Sequence, residues 1–248
     1  RSKRSANSKI EESQMYNLSG KVALVTGAGG EHGIGRAIAT RLATEGADIV
    51  LNDVCEVPYQ NGRWHGIESV AEEIRNLGRK ALTVVANVSK SNQVQSMIDQ
   101  TIKTFGQLDI LVNNAGVAGF RPILEVTEED YEYQTSINLK GLLFATKFAI
   151  PLLASQGGGS IVNISSGAGL KAVPLSSVYG TTKAGVVHLT KISALETADK
   201  NIRVNCICPG FIETPIFDTF IPKDQLRASK ASFSEMTPLK RMGRADEV

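Results

Sequence analysis

Apolar and polar positions follow two different patterns along the chain. Six short runs are apolar at nearly every position, which is typical of strands covered by helices on both faces of a parallel sheet. Longer segments between them carry apolar residues at helical spacing. This succession predicts a doubly wound α/β sheet. The predicted strands span residues 21–26, 47–52, 80–85, 108–113, 160–165 and 202–208, and the predicted helices span 33–45, 67–77, 92–105, 128–153 and 177–197.

The chain of 248 residues shows no internal repeat or linker, so we predict one domain at residues 18–248. Residues 1–17 precede the pattern, and their first nine residues include four cations. Such a run is either a disordered tail or an interaction or targeting segment, and we predict the tail. Elsewhere the cations are scattered and the net charge is only +2, so nothing indicates nucleic-acid binding.

Composition also bears on membranes, metals and redox state. No run approaches the roughly 18 apolar residues that a membrane span needs. The cysteines are Cys55, Cys206 and Cys208; they form no C-x-x-C pair, and the three histidines have no ligand spacing with them. We therefore predict reduced thiols, no metal site, no membrane partner and a cytoplasmic protein.

A glycine-rich stretch, TGAGGEHGIG at residues 26–35, joins the first predicted strand to the first predicted helix. This context suits a phosphate-binding turn, because glycines let the backbone approach a pyrophosphate and a helix N-terminus offers N–H groups. Asp53 follows 18 residues after Gly35, at the end of the second predicted strand. A carboxylate there accepts hydrogen bonds from an adenosine ribose and repels a 2′-phosphate, which favours NAD over NADP.

Candidate acid/base chemistry lies on the last predicted helix. Tyr179 and Lys183 are four residues apart, so they share one face. Ser165 and Ser166 end the fifth predicted strand, and Ser166 precedes Tyr179 by 13 residues. An ammonium group lowers the pKa of a neighbouring phenol from about 10, so the pair can move a proton to or from an alcohol oxygen that a serine holds. A chance Tyr/Lys pair would have the same spacing.

Together with further motifs in the same order, these residues resemble the short-chain dehydrogenase/reductase family. The motifs are NNAG (113–116), INLKG (137–141), NISS (163–166), YGTTK (179–183) and CPGFIETP (208–215). The resemblance covers residues 18–248. It implies a three-layer, doubly wound Rossmann fold with a mostly parallel sheet, and an NAD(P)-dependent enzyme that acts on the CH–OH group of a small-molecule alcohol or on a carbonyl compound.

Residue by residue, the resemblance implies that Tyr179 is the acid/base and that Ser166, not Ser165, positions the substrate oxygen. Lys183 would lower the pKa of Tyr179 and bind the nicotinamide ribose, and Asn138 would anchor a water that links Lys183 to solvent. For Asn113 and Asn114, loop-closing hydrogen bonds and direct cofactor contact both stay open. The implied cofactor-binding residues are Gly27, Gly33, Ile34, Gly35, Asp53, Asn87, Val88, Asn114, Ala115, Gly116, Tyr179, Lys183, Pro209, Gly210, Ile212 and Thr214.

The chain departs from the family pattern in its glycine spacing. The family has T-G-x-x-x-G-x-G, whereas five residues separate Gly27 from Gly33 here. We align Gly27, Gly33 and Gly35 with the family glycines and expect a widened turn, with His32 on a phosphate or at a solvated tip. Residues 54–66 are also longer than usual and are expected to cover the adenosine end or a neighbouring subunit.

Two further departures are Asn87, which stands where the family commonly has an Asp, and the end of the chain. The family usually continues past residues 243–248 into a helix and a seventh strand. The C-terminal strand is therefore apparently missing, and the sixth strand is expected to be an exposed edge. The family commonly forms dimers or tetramers through its two longest helices, so we expect a homo-dimer or homo-tetramer.

These residues favour an NAD-dependent oxidoreductase that interconverts a secondary alcohol and a ketone by hydride transfer. The alternatives are an NADP-dependent 3-oxoacyl thioester (acyl-carrier-protein) reductase and a catalytically idle dinucleotide-binding regulator. Residues 211–237 are expected to form a lid over the substrate. The apolar residues expected to line the substrate end are Phe120, Pro174, Phe211, Phe217, Phe220 and Ile221.

Overall fold

The computed structural model describes residues 16–58 and 64–248. Most of the predicted tail lies outside the described residues. Its described end is tied to the domain, because the backbone N–H of Tyr16 donates to the Glu45 carboxylate and that of Leu18 donates to the Glu45 carbonyl.

A six-stranded sheet forms the middle layer of the described protein. All five neighbouring strand pairs are parallel, and the strand order is β3-β2-β1-β4-β5-β6. The order reverses between β1 and β4, the switch point where such sheets bind ligands. The strands are β1 (Val22–Thr26), β2 (Asp48–Asp53), β3 (Ala81–Val85), β4 (Ile110–Asn113), β5 (Gly159–Ile164) and β6 (Ile202–Ile207).

Helices cover both faces of the sheet and complete the predicted three layers. On one face Leu24 of β1 belongs to a buried cluster with Ile98 and Ala149; on the other, Val25 belongs to a cluster with Ala39 and Val70. Neighbouring strand residues point to opposite faces, so one strand supplies both cores. The helices are α1 (Ile34–Thr44), α2 (Ile67–Asn76), α3 (Ser91–Phe105), α4 (Glu128–Thr135), α5 (Leu142–Ser155), α6 (Ser177–Thr197) and α7 (Lys223–Met236).

The predicted helix at 128–153 is two α-helices joined by a π-helical segment, Ser136–Gly141. A π-turn adds a residue without breaking the chain of apolar positions, so the sequence pattern does not reveal it. The continuous helical stretch Glu128–Ser155 is long and apolar enough, by length and composition alone, to cross a membrane, contrary to the expectation above. Its residues Ala145, Ala149 and Leu153 belong to the sheet core.

Candidate active site

A cavity of about 680 Å³ opens where the strands end, on loops that follow all six of them. It reaches from the glycine-rich turn after β1 to the segment after β6. Most of the predicted site residues line it: Gly27, Gly33, Ile34, Asp53, Asn87, Val88, Asn114, Ala115, Gly116, Ser166, Tyr179, Lys183, Pro209, Gly210, Ile212 and Thr214.

Gly35 is the predicted cofactor residue that lies outside this lining. In the first turn of α1, a Cβ at Gly35 would collide with the carbonyl oxygen of Gly27 and would lie 2.6 Å from Nδ2 of Asn114. The glycine therefore permits close packing of helix on loop. Sequence spacing groups it with Gly33 but does not separate contact with a ligand from packing against backbone.

The glycine-rich stretch forms a turn between β1 and α1, and its widening relative to the family stays a prediction. Gly27 adopts a φ of 65°, and the N–H of Gly33 closes a turn on the carbonyl of Gly30 at 3.0 Å. The side chain of His32 is 68% exposed at the tip of this turn. Helix α1 then begins at Ile34, and no side chain caps its N-terminus. Because Gly33 and Ile34 line the cavity, the partial positive charge of this helix end lies at the cavity wall.

Asp53 is held on both carboxylate oxygens by backbone groups. The N–H of Gly29 donates to Oδ2 at 2.9 Å, and the N–H of Val54 donates to Oδ1 at 2.8 Å. Burial raises the pKa of Asp53, and these two hydrogen bonds oppose the rise. The carboxylate is thus oriented before any ligand arrives.

The NNAG motif ties neighbouring loops together. Nδ2 of Asn114 donates to the carbonyls of Thr26 and Gly27, both at 2.9 Å. The buried Asn113 donates to Asn163 of β5 at 2.9 Å. Asn114 therefore makes loop-closing hydrogen bonds and also lines the cavity, whereas Asn113 joins two strands of the sheet.

Tyr179 and Ser166 face each other at the other end of the cavity. Burial raises the pKa of Tyr179, and a hydrogen bond with Ser166 only partly opposes the rise. The pKa of Tyr179 is thus raised overall in this structure, where the sequence predicts a lowered one, because burial disfavours the phenolate; the contribution of Lys183 stays a prediction. The hydroxyl of Ser165 instead donates to the backbone carbonyl of Lys183 at 2.7 Å, which leaves Ser166 as the serine paired with the tyrosine.

A small space near the Tyr179 ring is bordered by Lys183, Asn138 and Gly116. Nζ of Lys183 donates to the carbonyl of Ile164 at 3.0 Å and lies 5.8 Å from the centre of the Tyr179 ring. A Cβ at Gly116 would lie 3.2 Å from Oδ1 of Asn138 and 3.4 Å from Nζ of Lys183, so the two polar groups border one small space. Burial lowers the pKa of Lys183 to about 8.

Asn138 lies in the π-helical segment and is outside the cavity lining as far as the described residues show. Its Oδ1 accepts from the N–H of Val117 at 2.8 Å, and its Nδ2 donates to the Val117 carbonyl at 2.9 Å and to Thr182 at 3.2 Å. Asn138 therefore joins the loop after β4 to the helix that carries Tyr179. Its water-anchoring role stays a prediction.

Comparisons with known proteins place this geometry in a family. Residues 21–225 match the family model described as short chain dehydrogenase. The chain belongs to this family. It is similar to the 3-oxoacyl-(acyl-carrier-protein) reductase FabG of Thermotoga maritima, at 36% identity over 93% of this chain and 88% of the relative.

Two solved structures are also similar to this short-chain dehydrogenase. Levodione reductase superposes with a TM-score of 0.85 at 34% identity, over 92% of this chain and 87% of that one. NAD⁺-bound xylitol dehydrogenase superposes with a TM-score of 0.81 at 32% identity, over 93% of this chain and 89% of that one. The chain is thus an NAD(P)-dependent oxidoreductase that acts on alcohol or ketone groups.

The residues of this short-chain dehydrogenase fit an NAD(P) cofactor. One continuous cavity connects Asp53 and the open N-terminus of α1 with Ser166 and Tyr179. Gly210, on the loop after β6, lines the cavity, and a Cβ there would meet nothing within 4 Å, so the space beside it is open. Polar groups suited to ribose, to phosphates and to an alcohol oxygen follow one another along its length.

The substrate end of the cavity is aromatic. The ring of Phe120 lies 5.5 Å from that of Tyr179 and 4.9 Å from that of Phe220, and Phe217 continues this series. Phe120, Phe211, Phe217 and Phe220 line the cavity as predicted. Pro174 and Ile221 are absent from the lining of the described residues, and Val173 and Ile216 are present instead.

The sequence reasoning missed several lining residues. Most are neighbours of predicted ones on the same loops, such as Gly30, Val54 and Val117. Pro58 belongs to the long segment after β2, of which residues 59–63 lie outside the described residues. The proline and aromatic residues of this segment indicate that it covers part of the site, but they do not indicate which side chain reaches the cavity.

Proposed function

We propose that this short-chain dehydrogenase is an NAD-dependent oxidoreductase that interconverts a secondary alcohol and a ketone. One observation carries the proposal: Ser166, Tyr179 and Lys183 converge at one end of a cavity whose other end holds the oriented carboxylate of Asp53. When bound, the nicotinamide accepts or supplies the hydride. The remaining chemistry, which is proton transfer and positioning, belongs to the residues of the chain.

Tyr179 is the proton-transfer residue of the proposal. In ketone reduction its hydroxyl donates a proton to the carbonyl oxygen, and in alcohol oxidation its phenolate accepts the hydroxyl proton. The raised pKa keeps Tyr179 protonated at neutral pH, the form that reduction needs. Ser166 holds the same substrate oxygen by a hydrogen bond.

Lys183 assists this proton transfer by placing a positive charge near Tyr179. With a pKa of about 8 it is mostly protonated at neutral pH, so it favours the phenolate when the proton leaves Tyr179. Its ammonium is also the group proposed to bind the nicotinamide ribose. Asn138 and Gly116 border the space beside it, where a water would relay protons to solvent.

The preference for NAD rests on Asp53. Its carboxylate lines the cavity at the end of β2, where it would accept hydrogen bonds from the hydroxyls of an adenosine ribose, whereas a 2′-phosphate would meet a like charge. The similarity to NAD⁺-bound xylitol dehydrogenase supports the same choice.

A second candidate is an NADP-dependent 3-oxoacyl thioester reductase. The 36% identity to FabG of Thermotoga maritima favours it. It would require Asp53 to tolerate a phosphate, or to turn away from it.

We further propose one domain at residues 18–248, a cytoplasmic and soluble protein, and a homo-dimer or homo-tetramer. Support for the oligomer comes from exposed apolar side chains on the two longest helical regions, among them Tyr131, Leu143 and Leu195. The substrates are small-molecule alcohols or carbonyl compounds.

The test is calorimetric titration of NADH and NADPH into the folded protein, with Asp53→Asn in parallel. We expect the wild type to bind NADH about 100-fold more tightly, because like charges brought together cost several kcal/mol. Asp53→Asn should reduce that ratio sharply. A wild-type preference for NADPH would overturn the NAD assignment and favour the thioester reductase.

A further inference from the structure

The two departures from the family spacing, the widened turn after β1 and the long segment after β2, contact each other directly. Nε1 of Trp64 donates a hydrogen bond of 2.7 Å to the carbonyl of Gly29. The N–H of the same Gly29 donates to Oδ2 of Asp53 at 2.9 Å. Two successive hydrogen bonds therefore connect Trp64 to the carboxylate of Asp53. We call the part of the cavity around Asp53 and the glycine-rich turn the nucleotide end.

Packing reinforces this connection. A Cβ at Gly29 would lie 2.9 Å from the side chains of both Pro58, in the segment after β2, and Ile67, the first residue of α2, so these two side chains enclose this glycine. The ring of Trp64 also packs against the second core cluster. Gly29 is thus held by a donor on its carbonyl side and by side chains around its Cα.

The ring of Trp64 is itself held in place by a cation–π contact with Arg36. The guanidinium of Arg36 lies 5.1 Å from the ring centre and pairs with Glu73 of α2 through two hydrogen bonds, of 2.9 and 2.7 Å. Arg36 also donates to the carbonyl of Glu31 inside the widened turn. The side chain of Arg36 therefore connects α1, on which it lies, with α2, the widened turn and the indole of Trp64.

We propose that Trp64 is a positioning residue for the nucleotide site, fixing through Gly29 the Asp53 orientation that selects an unphosphorylated adenosine ribose. This inference rests on the proposed function. Trp64 does not line the cavity among the described residues, so it acts through the backbone of Gly29. A turn with two extra residues and adjacent glycines has many conformations in isolation, and the indole N–H restricts them.

Trp64→Phe tests the hydrogen bond, because it keeps an aromatic ring and removes the N–H donor. We expect NADH to bind about 3- to 10-fold more weakly, the effect of losing one such hydrogen bond. NADPH binding should change less, so the NADH/NADPH ratio should fall. The turnover number at saturating NAD should stay within about twofold, because Tyr179 lies at the opposite end. A residue that only stabilises the fold would lower the melting temperature and leave the ratio unchanged.

Gly29→Ala is the second variant, and it decides the question if Trp64→Phe does not fold. The added Cβ displaces Gly29 from Pro58 and Ile67 while the indole stays in place. We expect the same fall in the NADH/NADPH ratio. Glu68→Gln is the matched control: it removes an exposed ion pair with Arg75 on the neighbouring α2 and should leave both dissociation constants unchanged.

Asp53→Asn separates this inference from the proposed function. If Asp53→Asn leaves the NADH/NADPH ratio unchanged, the assignment of Asp53 to cofactor selection is wrong, and the role of Trp64 falls with it. If Asp53→Asn reduces the ratio but Trp64→Phe and Gly29→Ala keep it within twofold of the wild type, the positioning role of Trp64 is overturned and the NAD assignment stands.

Discussion

The two ends of the cavity are built by different means. At the nucleotide end, hydrogen bonds to backbone hold the side chains, as with Asp53 on Gly29 and Val54 and Asn114 on Gly27. At the substrate end, aromatic rings contact one another, and α7 has no fully buried residue. Directional bonds require particular residues at fixed positions, whereas ring contacts accept many side chains of similar size.

This difference has a consequence for dynamics and for specificity. Segments with few buried contacts open at low free energy, so α7 and the Pro215–Thr219 turn before it suit a lid that admits substrates. The nucleotide end, which always meets the same kind of ligand, has no such need. Tyr179 lies at the substrate end and is also linked to the loops of the other end, since its ring contacts Phe120 and its helix is joined to the NNAG loop through Asn138.

The largest expected effect is at Tyr179. Tyr179→Phe keeps the ring contact with Phe120 and removes the proton carrier, so we expect the turnover number to fall by about 10²- to 10⁴-fold. In the wild type, the rate of alcohol oxidation should rise with pH, because burial raises the pKa of Tyr179 and the phenolate forms only at alkaline pH. The variant's profile should lack that rise.

Calorimetry on Tyr179→Phe provides the control. Its dissociation constant for NADH should stay within about twofold of the wild type, because the nucleotide end is unchanged. Normal turnover in this variant would show that another group transfers the proton.

The next effect concerns the nucleotide end and its rigid backbone. Gly35→Ala brings a Cβ against the carbonyl of Gly27, which already accepts from Asn114, so neither can move freely. We expect the free energy of unfolding to fall by about 1–3 kcal/mol, the usual cost of overpacking, although alanine is the better helix former. Urea unfolding measures it.

Gly210→Ala is the matched control at the other end of the cavity. Nothing lies within 4 Å of its added Cβ, so its free energy of unfolding should stay within about 0.5 kcal/mol of the wild type. Equal losses in both variants would contradict the difference in rigidity between the two ends.

The sequence predicts most of the fold because strands covered on both faces need continuous apolar runs. The ends of the strands differ from the prediction by two residues at most, as at β4, which begins at Ile110 rather than at 108. Helix α6 was predicted with its observed bounds, Ser177–Thr197. The helical repeat places Tyr179 and Lys183 on one face, the family resemblance singles out Ser166, and the structure brings all three residues to one cavity.

What the sequence does not predict depends on contacts between distant residues. The pKa of Tyr179 follows from burial by the assembled loops, and a local reading sees only Lys183 nearby. Trp64 and Gly29 are 35 residues apart, so no spacing rule links them. Val173 lines the cavity in place of the predicted Pro174, and the sequence gives no signal that separates these two neighbours.

The smallest expected effect concerns the substrate end. Phe220→Ala removes ring contacts with Phe120 and Phe217, each worth about 0.5–1.5 kcal/mol, and so weakens the packing between the segment before α7 and the aromatic ring that contacts Tyr179. The KM for an apolar secondary alcohol should rise about 3- to 10-fold. NADH binding should not change, because Asp53, the proposed ligand of its adenosine ribose, is held by backbone groups at the other end of the cavity. Steady-state kinetics and calorimetry measure the two quantities separately.

Phe144→Ala is the control for this last variant, since it removes a comparable ring contact, with Phe148 at 5.8 Å, from a position on α5 outside the described cavity lining. It should leave the KM unchanged. If Phe220→Ala instead weakens NADH and substrate binding to the same degree, the two ends of the cavity are coupled. The aromatic residues Phe120, Phe217 and Phe220 would then contribute to cofactor binding. The proposed contrast between the substrate end and the nucleotide end would be wrong.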